Sequence, residues 1–394
     1  MSKIGLFLGA EPQGGGAFQY SQAILDGVCS LRENNTSVVV ATNSQRWRDY
    51  CAAYRARTLF LPKDLWGRNF DRPRFFNPPV RMVRAISPCI HSLAKALVSE
   101  HCDLWIFPSQ DVWGYQIPVP SLVAIHDLMH RYERRFPEVS ANGEYRMREW
   151  HYRSICRWAQ GILVDSEVGK RHVEESYRYP SERIFVLPFV ASTCISSPEP
   201  VRDFDVRYNL PEKFIFYPAQ FWHHKNHAGL IKAMKKLKSI IPDLKCVFVG
   251  SQKNGYQAAV DLIRETGLGK DILVLGYVPP EDMPELYRRA RALVMPTYFG
   301  PTNIPPLEAF ANGCPVAVSR IYGIPKQVGD AALLFDPESV DDMARAILQI
   351  WTDDRLCEEL KRKGLQKTAE WGQYQFNARF RTVIESVLSM PNLQ

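Results

Sequence analysis

The chain has no run of eighteen or more apolar residues, the length that a membrane-crossing helix needs. A membrane-spanning segment is therefore not expected. No Cys-x-x-Cys pair occurs either: nine cysteines stand far apart, at positions 29, 51, 89, 102, 156, 194, 246, 314 and 357. That spacing fits neither a zinc site nor a disulfide framework, and free thiols in a reducing cytoplasm are the simplest account. His126 and His130 have i, i+4 spacing, but no third ligand accompanies them, so no metal is expected. The N-terminal apolar run, Lys3 to Ala10, has no small-residue cleavage site after it and reads as a first strand, not a signal peptide. No Gly-x-Gly-x-x-Gly follows that strand. The loop carries Gly14, Gly15 and Gly16, and the next strand, Ser37 to Thr42, ends without an acid for a ribose. Both absences argue against NAD or FAD.

What is present is 394 residues with 46% hydrophobic content, enough for two ordinary globular cores. The first half alternates strands with helices: Lys3 to Ala10, Ser37 to Thr42, Leu104 to Phe107, Leu122 to Ile125, Gly161 to Asp165 and Ile184 to Leu187 read as strands. A strand, helix, strand order of this kind implies right-handed βαβ units and a parallel sheet. Ala191 to Pro211 has no periodicity and contains Ser196-Ser197-Pro198-Glu199-Pro200, a linker composition. The alternation then restarts, with strands expected at Phe214 to Tyr217, Lys245 to Val249, Ile272 to Leu275, Ala292 to Met295 and Val316 to Ser319. Ser339 to Asp353, Arg355 to Glu370 and Phe376 to Met390 read as helices. The expected fold is α/β: two Rossmann-like, doubly wound parallel-sheet domains facing each other across a cleft. Their expected bounds are 1–190, a linker at 191–212, a second domain at 213–372, and a C-terminal helix at 373–394 packing back on the first.

Four regions carry chemistry. From Arg46 to Arg84 ten cations face only Asp49, Asp64 and Asp71, interleaved with Trp47, Tyr54, Phe60, Trp66, Phe70, Phe75 and Phe76. Such a stretch reads as irregular, and suits a solvated face or an anionic membrane surface. No nucleic-acid motif accompanies it. His126 follows a strand and so lies at the rim where parallel sheets bind ligands. Lys225 stands just before a helix, where a cation is unfavourable unless an anion is bound. In Val294 to Ser319 a strand leads through a Pro-, Gly- and Asn-rich loop into a short helix, with Pro305 and Pro306 at its first positions and Asn303 as a capping candidate. Glu308 sits in its first turn, where a carboxylate is favoured and can also accept bonds from a cis-diol. An acid for hydroxyls, with a lysine and amides for phosphate, describes a nucleotide site.

Lys225-Asn226-His227, Gly276-Tyr277-Val278, Leu286-Tyr287 and Pro305-Pro306-Leu307-Glu308-Ala309-Phe310-Ala311-Asn312-Gly313-Cys314-Pro315-Val316 resemble glycosyltransferase family 4, with the GT-B fold. Gly14 to Gly16, His126-Asp127 and Val164-Asp165-Ser166 extend the resemblance into the first half. It implies a retaining transfer of a hexose from a nucleotide-sugar, of the GDP-mannose or UDP-hexose type, to a glycan or lipid-linked acceptor. The setting implied is bacterial surface polysaccharide synthesis, with no cofactor or metal. By the same resemblance Glu308 binds the ribose, Lys225 the diphosphate and Val278 the base. Gly15 and Gly16 admit the diphosphate and sugar, and His126 touches the sugar; His126, Lys225 and Glu308 form the catalytic set. Gln220, Gly250, Thr302, Asn303 and Ile304 complete the donor set, and Arg68, Arg72 and Arg74 are assigned to an acceptor or membrane face. Two departures stand out: Gly300 replaces a glutamate usually found eight positions before Glu308, and Gln220 occupies the region of a usual arginine. Thr302, Asn303 and the amides around Ile304 are the expected replacements. The alternative is a nucleotide-sugar-binding protein without turnover. A cytoplasmic location is expected, with peripheral contact at an inner membrane face left open.

Overall fold

The computed structural model describes residues 2–11, 15–34, 36–61, 79–191 and 203–391. Arg68, Arg72 and Arg74, Gly14, and residues 192–202 of the expected linker lie outside them. The chain divides into two units, one of Met1–Arg131, Gly143–Phe189 and Gln373–Gln394, the other of Tyr132–Asn142 and Val190–Gly372.

In the first unit β1 (Lys3–Leu8), β2 (Ser37–Thr42), β3 (Arg57–Phe60), β4 (Leu104–Phe107), β5 (Ser121–Ala124), β6 (Gly161–Val164) and β7 (Ile184–Val186) pair in parallel, in the order β3-β2-β1-β4-β5-β6-β7. Their continuous apolar runs follow from burial on both faces: Val39, Val40, Leu104, Ile106, Leu122 and Ile162 are all fully buried. Sequence reading left Arg46 to Arg84 irregular; the structure corrects this. Helix Gln45–Ala53 buries Trp47 and Cys51, one turn apart, and β3 pairs with β2 from Val39↔Arg57 to Thr42↔Phe60. As an edge strand β3 is only partly covered, so no clean apolar alternation marks it. Helix Val80–Ile90 then begins directly after Pro79.

The C-terminal helix Gln373–Ser389 completes this unit, burying Phe376, Phe380, Val383, Ile384 and Val387. It packs on helix Gly16–Ser30, where a Cβ on Gly27 would come 2.8 Å from the Phe380 ring. Gln160 Nε2 donates to the carbonyls of Val387 and Met390 at 3.0 and 3.2 Å, and Arg183 Nη2 to that of Pro391 at 2.9 Å.

The second unit holds β8 (Ile215–Pro218), β9 (Cys246–Val249), β10 (Ile272–Gly276), β11 (Ala292–Met295), β12 (Val316–Ser319) and β13 (Ala332–Phe335), all parallel, in the order β10-β9-β8-β11-β12-β13. The strand β13 was not expected from sequence. It pairs with β12 from Val316↔Ala332 to Ser319↔Phe335 at the sheet edge, and its first three residues are only part-buried. Within the expected linker, helix Phe204–Tyr208 docks on this unit: Arg207 Nη1 donates to Asp282 at 2.6 Å, Tyr208 OH donates to the same carboxylate, and Arg289 covers the Phe204 ring.

Candidate functional site

Strand order fixes where each unit can bind a ligand. In the second sheet it reverses between β8 and β11, and a crevice opens beyond the strand ends at such a switch point. The loops that leave β8 and β11 are sewn together there. The His224 carbonyl accepts from the Tyr298 amide at 2.8 Å and from Thr297 Oγ1 at 3.3 Å. Lys225, half-buried, closes the single turn His223–Lys225, and its Nζ donates to Asn303 Oδ1 at 3.5 Å. Asn226, at φ 58°, caps helix His227–Leu237 by accepting from the Gly229 amide at 3.0 Å. Lys225 thus lies one residue before the cap. His227 behind it is held at about 3 by burial and then by the Lys225 charge, and so is neutral.

Asn303 does not cap helix Pro305–Ala311: the cap position is Ile304, without a side-chain bond. Its backbone is instead clasped by Gln327, whose Oε1 accepts from the Asn303 amide at 3.1 Å and whose Nε2 donates to the Asn303 carbonyl at 2.7 Å. Gly323 N adds a bond to the Pro301 carbonyl at 2.9 Å. Asn303 Nδ2, buried, has no hydrogen-bond partner among the described residues. Gly300 has φ 118°, and a Cβ there would lie 3.1 Å from that nitrogen. The loop therefore takes a path that favours glycine, and the asparagine amide fills the adjacent space. Glu308 is 3% exposed and accepts from Tyr287 OH at 2.6 Å. Burial, and then the Glu308 charge, raise the Tyr287 phenol far above its ordinary range, so it remains a donor.

Three further donor candidates meet at the ends of adjacent strands. Gly250 N donates to the Gly276 carbonyl at 2.7 Å, and a Cβ on Gly250, at φ 149°, would lie 2.2 Å from the Ala219 carbonyl oxygen. Only glycine permits that approach. It brings the loop holding Gln220 against β9 and joins it to the turn that precedes the buried Val278. Gln220 Oε1 accepts from Trp222 Nε1 at 2.9 Å.

In the first unit the order reverses between β1 and β4. Gly15 and Gly16, both exposed, open the helix after β1. His126 follows β5, and its Nε2 lies 2.9 Å from the Pro108 carbonyl in the loop after β4. Because a carbonyl only accepts, Nε2 carries the hydrogen. Burial lowers the ring's pKa from its ordinary value, against Asp127 and that carbonyl, which leaves a neutral imidazole whose Nδ1 is a lone-pair acceptor. Tyr20 meets the ring edge-on at 5.2 Å. His130, the other member of the i, i+4 pair, is occupied by Glu149 at 2.8 Å. Among the described residues no group of three or more His, Cys, Asp or Glu is arranged to hold a metal ion.

Sequence reading did not single out Gln327, the role of Tyr287, or Glu138. Glu138 Oε1 accepts from the His224 amide at 2.9 Å and lies 2.5 Å from His224 Nδ1, while Oε2 accepts from Asn254 Nδ2 at 3.0 Å. Burial alone pushes its carboxyl upward, but the bonds from His224 and Asn254 outweigh it and hold the group at about 2. No local signal marks these partners, because each lies far along the chain from the group it serves.

Two doubly wound units of this topology are those of the GT-B fold. Residues 201–367 match the family model Glycosyl transferases group 1, and the chain carries that domain. Its sequence is similar to O-antigen chain mannosyltransferase B of Escherichia coli, 28% identical over 260 residues that make up 62% of this chain and 68% of that one. It is also similar to the serotype-specific mannosyltransferase WbdA of Escherichia coli, 24% identical over 238 residues, 58% of this chain. The match spans only 29% of WbdA's length. Among solved structures Anabaena HepE in complex with UDP and glucose has a TM-score of 0.74 at 15% identity, covering 98% of this chain and all of that one.

Proposed function

We propose that this chain transfers a hexose, with mannose from GDP-mannose as the first candidate and UDP-hexoses as the second, to a glycan or lipid-linked acceptor in bacterial surface polysaccharide synthesis. The observation that carries the reading is the pairing of Lys225 Nζ with the buried Asn303 amide at the β8/β11 switch point. Two N–H donor groups side by side suit a diphosphate. Similarity to mannosyltransferases supports the choice of mannose. In this reading Lys225 and Asn303 stabilise charge on the leaving phosphate, which serves as base for the incoming hydroxyl and gives retention of configuration. Preorganised donors of this kind are the main catalytic device. Glu308 receives the ribose hydroxyls, and His126, neutral, accepts a sugar hydroxyl at Nδ1. No metal is assigned a role, and turnover is expected to survive EDTA.

A lipid-linked acceptor fits the exposed face of helix Val80–Ile90. Met82, Ile86 and Ile90 are 54, 45 and 54% exposed, Arg81 is exposed beside them, and the helix contains no acid. This composition suits peripheral contact with an anionic membrane.

A thermal-shift panel of nucleotide-sugars, followed by transfer assays with the one that binds, tests the reading. Lys225→Ala and Glu308→Gln are each expected to lower kcat/KM about tenfold or more, the worth of one charge-assisted bond. Wild-type turnover in both would remove the site assignment. Donor binding without transfer or hydrolysis would favour the non-catalytic alternative.

A further inference from the structure

The segment Tyr132–Asn142 belongs to the second unit, although the chain on either side of it belongs to the first. We propose that Glu138 on this segment is a positioning residue for Lys225, fixing the turn His223–Lys225 so that the ammonium group is held where the donor's diphosphate binds. The proposal rests on the donor role of Lys225 and extends it to a residue 87 positions away in the chain.

The turn contains Trp222, His223, His224, Lys225 and Asn226, with no acid of its own to anchor it. The amides of His223 and His224 are satisfied from elsewhere: that of His223 donates to Asn254 Oδ1 at 3.2 Å, and that of His224 to Glu138 Oε1 at 2.9 Å. Asn254 in turn donates to Glu138 Oε2 at 3.0 Å, so one carboxylate, whose side chain is 5% exposed, ties both amides. The same carboxylate engages the His224 ring, which stacks on Phe299 at 3.7 Å, and Phe136 from the segment stacks on Tyr298 at 5.4 Å. Downstream, Tyr217 OH donates to the Lys225 carbonyl at 2.7 Å. The backbone is pinned on both sides of Lys225. Without Glu138, the His224 amide and ring lose their buried partner, and the turn is free to shift. A displacement of about 1 Å is enough to cost a charge-assisted contact most of its value.

The test is equilibrium titration of the full chain with GDP and with UDP, with melting temperatures measured alongside. Glu138→Gln and Lys225→Ala are each expected to raise Kd for the bound nucleotide about tenfold. The double variant is expected to bind no more weakly than Lys225→Ala alone, since the carboxylate acts through the lysine. Glu138→Asp, which keeps the charge but shortens the reach, is expected to fall between wild type and Glu138→Gln. Glu133→Gln breaks the same segment's bond with Tyr322 OH, 2.7 Å, without touching His224; it is expected to lower the melting temperature and leave Kd unchanged. Wild-type Kd in Glu138→Gln, or additive losses in the double variant, would overturn the proposal while the Lys225→Ala loss upheld the donor site. Wild-type Kd in Lys225→Ala, or a wild-type chain that binds neither nucleotide, would overturn both.

Discussion

At the scale of single residues, the proposed donor site would exchange one kind of recognition for another at Gly300 and Asn303. A glutamate at 300 would present an acceptor carboxylate; the asparagine amide beside Gly300 presents a donor. Gly300→Glu is therefore expected to weaken binding of the donor nucleotide, and to cost about 1–2 kcal/mol of stability because φ there is positive. Denaturant unfolding and nucleotide titration check the two parts separately. Glu138 makes a prediction in pH. Its folded-state pKa is depressed from 4.5 to about 2, so the stability it contributes is fully present above about pH 4.5 and is lost as pH falls through 2. Glu138→Gln should unfold at lower melting temperature than wild type at pH 6, with the gap closing toward pH 2. The positions of Lys225, Glu308 and His126 were legible in sequence, because each stands beside a helix start or strand end that local residues mark. Gln327, Tyr287 and Glu138 were not, because their roles come from contacts between distant segments.

Elements show the same division. The central strands of both sheets were readable from their apolar runs, since a strand covered on both faces must be apolar throughout. The edge strands β3 and β13 were not: each is only partly covered, and β3 mixes Arg57 and Thr58 with Leu59 and Phe60. The helix Val80–Ile90 carries a prediction of its own. Its exposed residues 81, 82, 85, 86, 89 and 90 lie on one face, and only Arg81 among them is charged. Ile86→Glu combined with Ile90→Glu is expected to reduce co-sedimentation with phosphatidylglycerol vesicles severalfold while leaving nucleotide binding intact. Equal binding by variant and wild type would assign that face no membrane role. No helix among the described residues is long and apolar enough to cross a membrane.

For the whole molecule, the path of the chain matters as much as its elements. The first unit is not finished until Gln373–Ser389 packs on it, so its fold depends on residues far along the chain from its sheet. Truncation after Gly372 removes five buried apolar side chains, worth roughly 1.5–3 kcal/mol each. That total is comparable with the 5–15 kcal/mol stability of a typical domain. The truncated chain is expected to lose the cooperative unfolding of its first unit, read by calorimetry. The sequence by itself determined the two alternating α/β halves and the turn, helix start and strand end that bear Lys225, Glu308 and His126. Those features are local, arising from side-chain periodicity, turn residues and helix-end electrostatics within a few residues. Only the tertiary structure decided that residues 132–142 serve the second unit, that Gln327 clasps Asn303, and that Glu138 anchors the turn before Lys225. Each of these is a pairing of buried polar groups across tens of residues, and such pairings are set by which segments the folded backbone brings together.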